Sequence, residues 1–303
     1  MGNMLRAISS DGAVMLCAID STDMVARAEA LHKSSAVVTA ALGRLLTAAS
    51  MIGCQMKNEK GTVTLKLNGD GPMGVAVALS DANGNVKGYT AQSVIELPLN
   101  EKGKLDVAEA VGRNGLLYVM RDFGQGEPYI GQAELVSGEI AEDITSYYAN
   151  SEQVPTVCAL GVLVNPDLSV KKAGGFLLQL LPGATDETID QIEKNISTMK
   201  PVTEMLESGL SIEDISALAL HGFDMEILDT FDAAYRCDCS RDRIEKALSS
   251  LQDEELVSLA DEKGYTQIEC HFCNKKYRYN RRELEEFCAA RSQRQEARGE
   301  NNE

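Results

Sequence analysis

Two short stretches, Tyr235-Arg-Cys237-Asp-Cys239-Ser and Glu269-Cys270-His-Phe-Cys273-Asn, decide how this 303-residue chain is organised. The first holds a C-x-C pair and the second a C-x-x-C pair, with thirty residues between Cys239 and Cys270. Two close cysteine pairs flanking a short helical insert are how a small domain builds a tetrahedral thiolate site, and C-x-x-C suits a tight turn that aims two sulfurs at one metal. Gly264, with Tyr265-Thr-Gln-Ile268 before the second pair and Lys276-Tyr-Arg-Tyr279 after it, fits a knuckle flanked by a hairpin. A module of about sixty residues with so few apolar side chains is of a size that a metal commonly staples. Cys237, Cys239, Cys270 and Cys273 are therefore expected to hold one zinc ion. His271 lies inside the second pair, but four sulfurs already fill the shell, so a solvent-facing or hydrogen-bonding role is expected for it. Cys288 reads as an additional free thiol on a helix.

The C-x-C spacing is shorter than the C-x(2–4)-C of purely structural zinc sites. Two thiols one residue apart, kept deprotonated by a metal, suggest chemistry at sulfur. An oxidant would convert thiolate to sulfenic acid and then to disulfide. Disulfide sulfur is a poor ligand, so the metal would leave. A structural zinc contributes an apparent ~10–16 kcal/mol to folding a small module. A disulfide closing a four-residue loop returns only about 2 kcal/mol in the chain-entropy view. A disulfide confined to either pair would not tie Cys237 to Cys270 across the insert. Oxidation is expected to unfold the module rather than lock it.

Working outward, charge divides the chain. Residues 1–183 hold 14 basic and 19 acidic side chains, residues 184–231 hold only Lys194 and Lys200 against 11 acids, and residues 232–303 hold 13 basic and 16 acidic. The first part reads as mixed α and β. Residues 24–52 are helix formers with apolar residues at helical spacing. Val63, Leu65 and Leu67 alternate with polar residues as in a strand, Gly69-Asp-Gly-Pro-Met-Gly74 breaks it, and Val75–Leu79 and Val86–Tyr89 form a hairpin about Asp81-Ala-Asn-Gly84. A phosphate-binding role for the Gly69–Gly74 stretch is disfavoured, since the Lys-Ser/Thr of a P-loop is missing. Gly138–Tyr148 reads as a short helix and Val157–Val164 as a buried strand. The middle part, 184–231, reads as helical: Ile189, Ile192, Ile196 and Met199 share one face, and Ser211-Ile-Glu-Asp214 resembles a capping box. These short acidic helices would be marginal alone and should fold only by docking on something else, the metal module included. The expected domains are 1–183, an acidic helical linker at 184–231, a zinc module at 232–290 and a frayed polar tail at 291–303.

Composition narrows the setting. An apolar fraction of 44% supports a sizeable core, built without Trp and with 11 Met as adaptable filler. A net charge of −17 repels nucleic acid and anionic membranes. The N-terminus lacks the basic and apolar regions of a signal peptide, and no stretch approaches the apolar length of a membrane span, so a cytoplasmic protein is expected. Eight cysteines in so long a chain are not a disulfide scaffold. Cys17, Cys54 and Cys158 lie singly in apolar surroundings and are expected to be buried structural thiols.

Several further stretches carry a resemblance: His32 with Ala40-Ala-Leu-Gly-Arg-Leu-Leu46, Gly69–Gly74, Gly138-Glu-Ile-Ala-Glu-Asp143, Ser151-Glu-Gln-Val-Pro155 and Ala173-Gly-Gly175. Together with the two cysteine pairs, in this order, they make the chain resemble heat-shock protein 33, the redox-regulated 33 kDa chaperonin family, over nearly its whole length. The resemblance implies an α+β fold: an N-terminal domain of packed mixed β-sheets with helices, a helical linker and a small zinc-binding α+β module. It implies a reduced, zinc-bound form that is a largely inactive monomer. Oxidation would join Cys237 to Cys239 and Cys270 to Cys273 and eject zinc, and the module and middle segment would unfold. The oxidised form would be a homodimer that holds unfolding client proteins without ATP. Cys288 falls outside the family's four-cysteine pattern.

Two other classes compete. A zinc module that binds RNA could use Lys275, Lys276, Arg278, Arg281 and Arg282 on phosphates and Tyr277 and Tyr279 as stacking platforms, against the acidity of the whole. A thiol reductase could use Cys270-His-Phe-Cys273, but that pair does not open a helix after a strand. No Ser/His/Asp arrangement or carboxylate pair stands out, so no enzyme is expected.

Overall fold

The computed structural model describes residues 2–260 and 264–299, with side chains as far as Arg291. The chain divides at Arg236/Cys237 into two compact units.

The first unit holds two five-stranded sheets. One has the order β10-β1-β2-β9-β8 and the other β5-β4-β3-β6-β7. The strands of the first are β1 (Gly2–Ser9), β2 (Val14–Asp20), β8 (Thr156–Val164), β9 (Val170–Leu180) and β10 (Met225–Ala233). Those of the second are β3 (Thr62–Gly69), β4 (Ala76–Asp81), β5 (Val86–Thr90), β6 (Gly115–Asp122) and β7 (Tyr129–Glu134). The α+β class expected from the sequence holds, with every pairing in these sheets antiparallel rather than mixed in direction.

Helix α2 (Ala36–Gly53) packs against strands of both sheets, and its Leu42, Leu45, Leu46, Ala49 and Met51 are almost wholly buried. By length and composition α2 could cross a bilayer, which the sequence reading had not expected, but 89% of it is buried inside the fold. It is a core helix. The helical stretch expected over 24–52 forms two helices, α1 (Thr22–His32) and α2, separated where Lys33 adopts a left-handed backbone at φ 52°. Short helix α3 (Val107–Val111) packs on α2 and β3, and α4 (Ala141–Tyr147), running into a π turn at Tyr148–Glu152, packs on β7 and β8. The Gly69–Gly74 stretch is the turn between β3 and β4. A Cβ on Gly69 would sit 2.1 Å from the Val111 carbonyl oxygen, so the turn needs glycine to lie against α3. Asp143, fully buried, accepts from the backbone N–H groups of Val136, Ser137, Gly138 and Ile140, and Arg44 pairs with Glu139. Two of the motifs that carried the resemblance thus brace each other.

Residues 184–231 belong to this unit. They form α5 (Asp186–Thr198), α6 (Val202–Glu207) and α7 (Ile212–Ala219), followed by strand β10 where helix was expected. Ser211 and Asp214 make the expected capping box, Ser211 Oγ accepting from the Asp214 N–H (3.1 Å) and the Asp214 carboxylate from the Ser211 N–H (2.9 Å). Along β1 and β2 the side chains alternate: Met4, Cys17 and Ile19 face the core around α2, while Leu5, Ala7, Val14, Leu16 and Ala18 face the other way. On that second face they are covered by Ile192, Val202, Met205, Leu206, Ile212 and Ile215 from the three helices. The middle segment therefore docks on a sheet of its own unit. Gly174 permits this approach, since a Cβ there would lie 2.7 Å from the Leu206 side chain. Val157–Val164, expected as a buried strand, is half-buried along most of its length at the sheet's edge.

The second unit has α8 (Arg241–Leu248), α9 (Asp253–Ser258), the antiparallel pair β11 (Tyr265–Glu269) and β12 (Lys276–Asn280), and α10 (Arg281–Gly299). Its small core gathers Leu248, Leu256, Tyr277, Tyr279, Leu284 and Cys288. Helix α10 continues to Gly299 where a frayed tail was expected from residue 291; residues 300–303 of that expected tail lie outside the described residues.

Candidate metal centre

The second cysteine pair sits in the turn between β11 and β12. The Cys270 N–H donates to the Lys275 carbonyl (3.0 Å), and the Cys273 and Asn274 N–H groups donate to the Cys270 carbonyl (3.2 and 2.8 Å). Asn274 takes the left-handed conformation at φ 57°, which asparagine tolerates and which turns the chain back into β12. This is the knuckle that the C-x-x-C spacing predicts. The first pair lies on the irregular arm leading to α8, whose N-cap Ser240 accepts from the Arg243 N–H at 3.2 Å. The cap fixes where the arm ends and the helix begins.

The four sulfurs converge. Cys237 Sγ lies 3.7 Å from Cys270 Sγ, Cys239 Sγ lies 3.4 Å from Cys273 Sγ, and all four are within 4.8 Å of one another. Four thiolates about 2.3 Å from one tetrahedral ion would be about 3.8 Å apart, so the set fits such an ion. Both of these close contacts run between the pairs, drawing the arm and the knuckle together across the helical insert.

Electrostatics favour a cation. Cys237 is pushed up to about 12, by burial first and then by the neighbouring sulfurs, and burial also raises Cys273. Burial works against the Cys239 thiolate too, but the Tyr277 hydroxyl donating at 3.1 Å and the other three thiols outweigh it and bring Cys239 down to about 7. A cluster so arranged gives up one proton readily and resists losing more. A divalent ion removes that resistance by its own charge.

His271 is exposed and stands outside the four-sulfur group. Cys288 is 8% exposed in the core of the unit, its thiol raised by burial first and then by Asp253. The tyrosines that could have stacked on bases are 7% and 2% exposed, with Lys275 over the Tyr277 ring and Arg241 over Tyr279. In the first unit Cys17 and Cys54 are buried as expected, but not singly: their sulfurs are 3.4 Å apart, because β2 and the C-terminal end of α2 meet there. Cys158 is half-buried, its thiol pushed up to about 12 by burial. The face of β1 and β2 beneath α5–α7 escaped the sequence reading. Its only signal was the unbroken apolar run Val14-Met-Leu-Cys-Ala-Ile19, which marks a strand buried on both sides.

Comparison with known proteins agrees with this arrangement. The "Hsp33 protein" family profile matches residues 2–280. A 33 kDa chaperonin of Acetivibrio thermocellus is 47% identical over 281 residues, covering 93% of this chain and 95% of that protein. One from Clostridium beijerinckii is 43% identical over 284 residues, covering 94% and 97%. The crystal structure of a 33 kDa chaperonin, described as a heat shock protein 33 homolog, from Thermotoga maritima superposes with a TM-score of 0.88 at 35% identity, covering 96% of this chain and 99% of that one. With a profile spanning all but the ends and relatives matched along nearly their full length, the chain belongs to the heat-shock protein 33 chaperone family.

Proposed function

We propose that the chain is a redox-regulated, ATP-independent holding chaperone of the cytoplasm, silent while Cys237, Cys239, Cys270 and Cys273 bind one zinc ion and active once they are oxidised. The convergence of four thiols within 4.8 Å is the observation that carries this reading. When bound, zinc would supply the positive charge that keeps all four sulfurs as thiolates and closes the second unit around them. Peroxide would take two electrons for each disulfide, its oxygens leaving as water. We assign the disulfides to Cys237–Cys239 and Cys270–Cys273. This pairing is the one the family resemblance implies, and it leaves arm and knuckle unlinked across the helical insert.

The second unit would then lose its staple, and its core of seven buried side chains among the described residues is small. The acidic helices α5–α7 follow in this account, leaving the sheet. Their departure uncovers Leu5, Val14, Leu16, Phe176 and Leu178, an apolar surface held on a sheet that keeps its other face in the core. Such a surface suits apolar segments of unfolding proteins, and two oxidised chains would dimerise. The test measures zinc released by peroxide at raised temperature together with light scattering from a heat-denatured client. Zinc loss with suppressed scattering only after oxidation supports the proposal. Equal suppression by both forms removes the switch, and suppression by neither removes the chaperone.

A further inference from the structure

In sequence, strand β10 follows α5–α7 and precedes the cysteine module, the two regions that the proposed switch would release. It is the edge strand of its sheet and pairs with β1 along the whole of Gly2–Ser9. Yet it buries little. Ala233 alone is buried, Ile227 and Leu228 are 49% and 52% exposed, and three of its nine residues are acidic. The ladder is interrupted between Arg6 and Ala7, where Leu228 has no partner. What fixes its register is a two-pronged contact, the Arg6 guanidinium on the Asp229 carboxylate. What anchors its far end is Tyr235, whose hydroxyl donates to the Gly88 carbonyl at 2.8 Å. The backbone ladder with β1, the Arg6–Asp229 contact and Tyr235 hold β10 in place, with apolar packing confined to Met225, Phe231 and Ala233.

We infer that the β1 edge is a strand-capture site, and that β10 occupies it in the resting state as a stand-in for an extended client segment. Resting on the chaperone reading above, this adds how a client is gripped. Once α5–α7 leave, β10 loses its tether at Met225 and peels toward Tyr235. It bares the N–H and C=O row of β1 beside the apolar face of Leu5 and Ala7. An incoming chain in extended form pairs antiparallel to β1 through its own backbone, which every polypeptide has, whatever its sequence. Apolar side chains on one side of it add contact with the uncovered sheet. A carboxylate opposite Arg6 is the one side-chain preference expected.

A synthetic peptide of residues 225–235 tests this on the full-length protein. It should bind the oxidised form, not the reduced form, and should displace a held client, seen as returning light scattering. N-methylation at alternate residues within 229–233 separates backbone from side-chain recognition. Of the two sets, Asp229/Phe231/Ala233 and Thr230/Asp232, only the one facing β1 should abolish binding, by at least about tenfold. Equal tolerance or equal loss for both sets overturns strand capture, as does a client held undisturbed by saturating peptide. If the peptide instead dissolves the oxidised dimer while the client stays held, the edge serves a second copy and the inference fails. Failure of the oxidised protein to hold client before any peptide is added would sink the chaperone reading itself, and this inference with it.

Discussion

Replacing Ile215 by alanine should loosen the middle segment without an oxidant. Ile215 is 2% exposed on α7, the helix that packs on β1 and β2, within the cluster that contains Leu5 and Leu16. Ile→Ala in a core costs about 2–5 kcal/mol through lost transfer energy and the cavity left behind. Helix α7 has only eight residues and can settle toward the sheet, which favours the lower end, about 2–3 kcal/mol. That is about a 30- to 150-fold rise in the fraction of chains with the segment open. Amide exchange of the reduced, zinc-loaded variant reads it directly. Exchange across 186–219 should accelerate by that factor while β3 and β6 keep their protection, and the reduced variant should suppress client scattering in part. Unchanged protection over 186–219 would refute the reasoning, since the segment would not be held by this face. Equal acceleration in β3 and β6 would refute it differently, by showing that segment and sheets open as one.

Cys270→Ser should abolish zinc binding, unfold the second unit as seen by circular dichroism, and give a protein that holds client while reduced; a variant that keeps one zinc per chain would remove Cys270 from the site. Cys288→Ser places a hydroxyl in the small core and should lower the second unit's stability by about 1–3 kcal/mol, measured by denaturation of the zinc-loaded form, with zinc content unchanged. Asp229 is held below the ordinary carboxylate range by its hydrogen bonds to Arg6, against the opposing effect of burial. Its stabilisation of β10 is complete above the unfolded value of about 3.9 and is lost as pH falls through the lower folded value. Protection of the β10 amides, taken relative to intrinsic exchange at each pH, should therefore fall below about pH 4 in the native chain, and Asp229→Asn should remove that dependence. Both side chains are partly exposed, so the effect should be small and weaken further with salt.

The four-cysteine cluster was legible in the sequence because its members come as two local pairs: spacing alone brings Cys270 and Cys273 to one turn, and the arm of Cys237 and Cys239 has few other places to go. The hairpin around it was legible for the same reason, as were β3, β4 and β5, whose one-sided burial writes an alternating pattern. What stayed hidden depends on distant partners. β1, β2 and β9 are covered on both faces, so their residues do not alternate between apolar and polar. β10 carries Asp229, Asp232 and two exposed aliphatics and earns its place through backbone pairing with β1, more than two hundred residues away in sequence. The break between α1 and α2 rests on one left-handed lysine, a conformation that no composition signals. Cys17 and Cys54 become neighbours only when α2 lands on the sheet.

The account turns on the four clustered thiols giving up their metal as they oxidise, and thiol loss measured against zinc release during a peroxide titration examines this most directly. Four of the eight cysteines should disappear for each zinc released, and mass mapping should place them at Cys237, Cys239, Cys270 and Cys273, with Cys17, Cys54, Cys158 and Cys288 still reduced. Zinc that stays bound while those four oxidise, or that departs while they remain thiols, would contradict it.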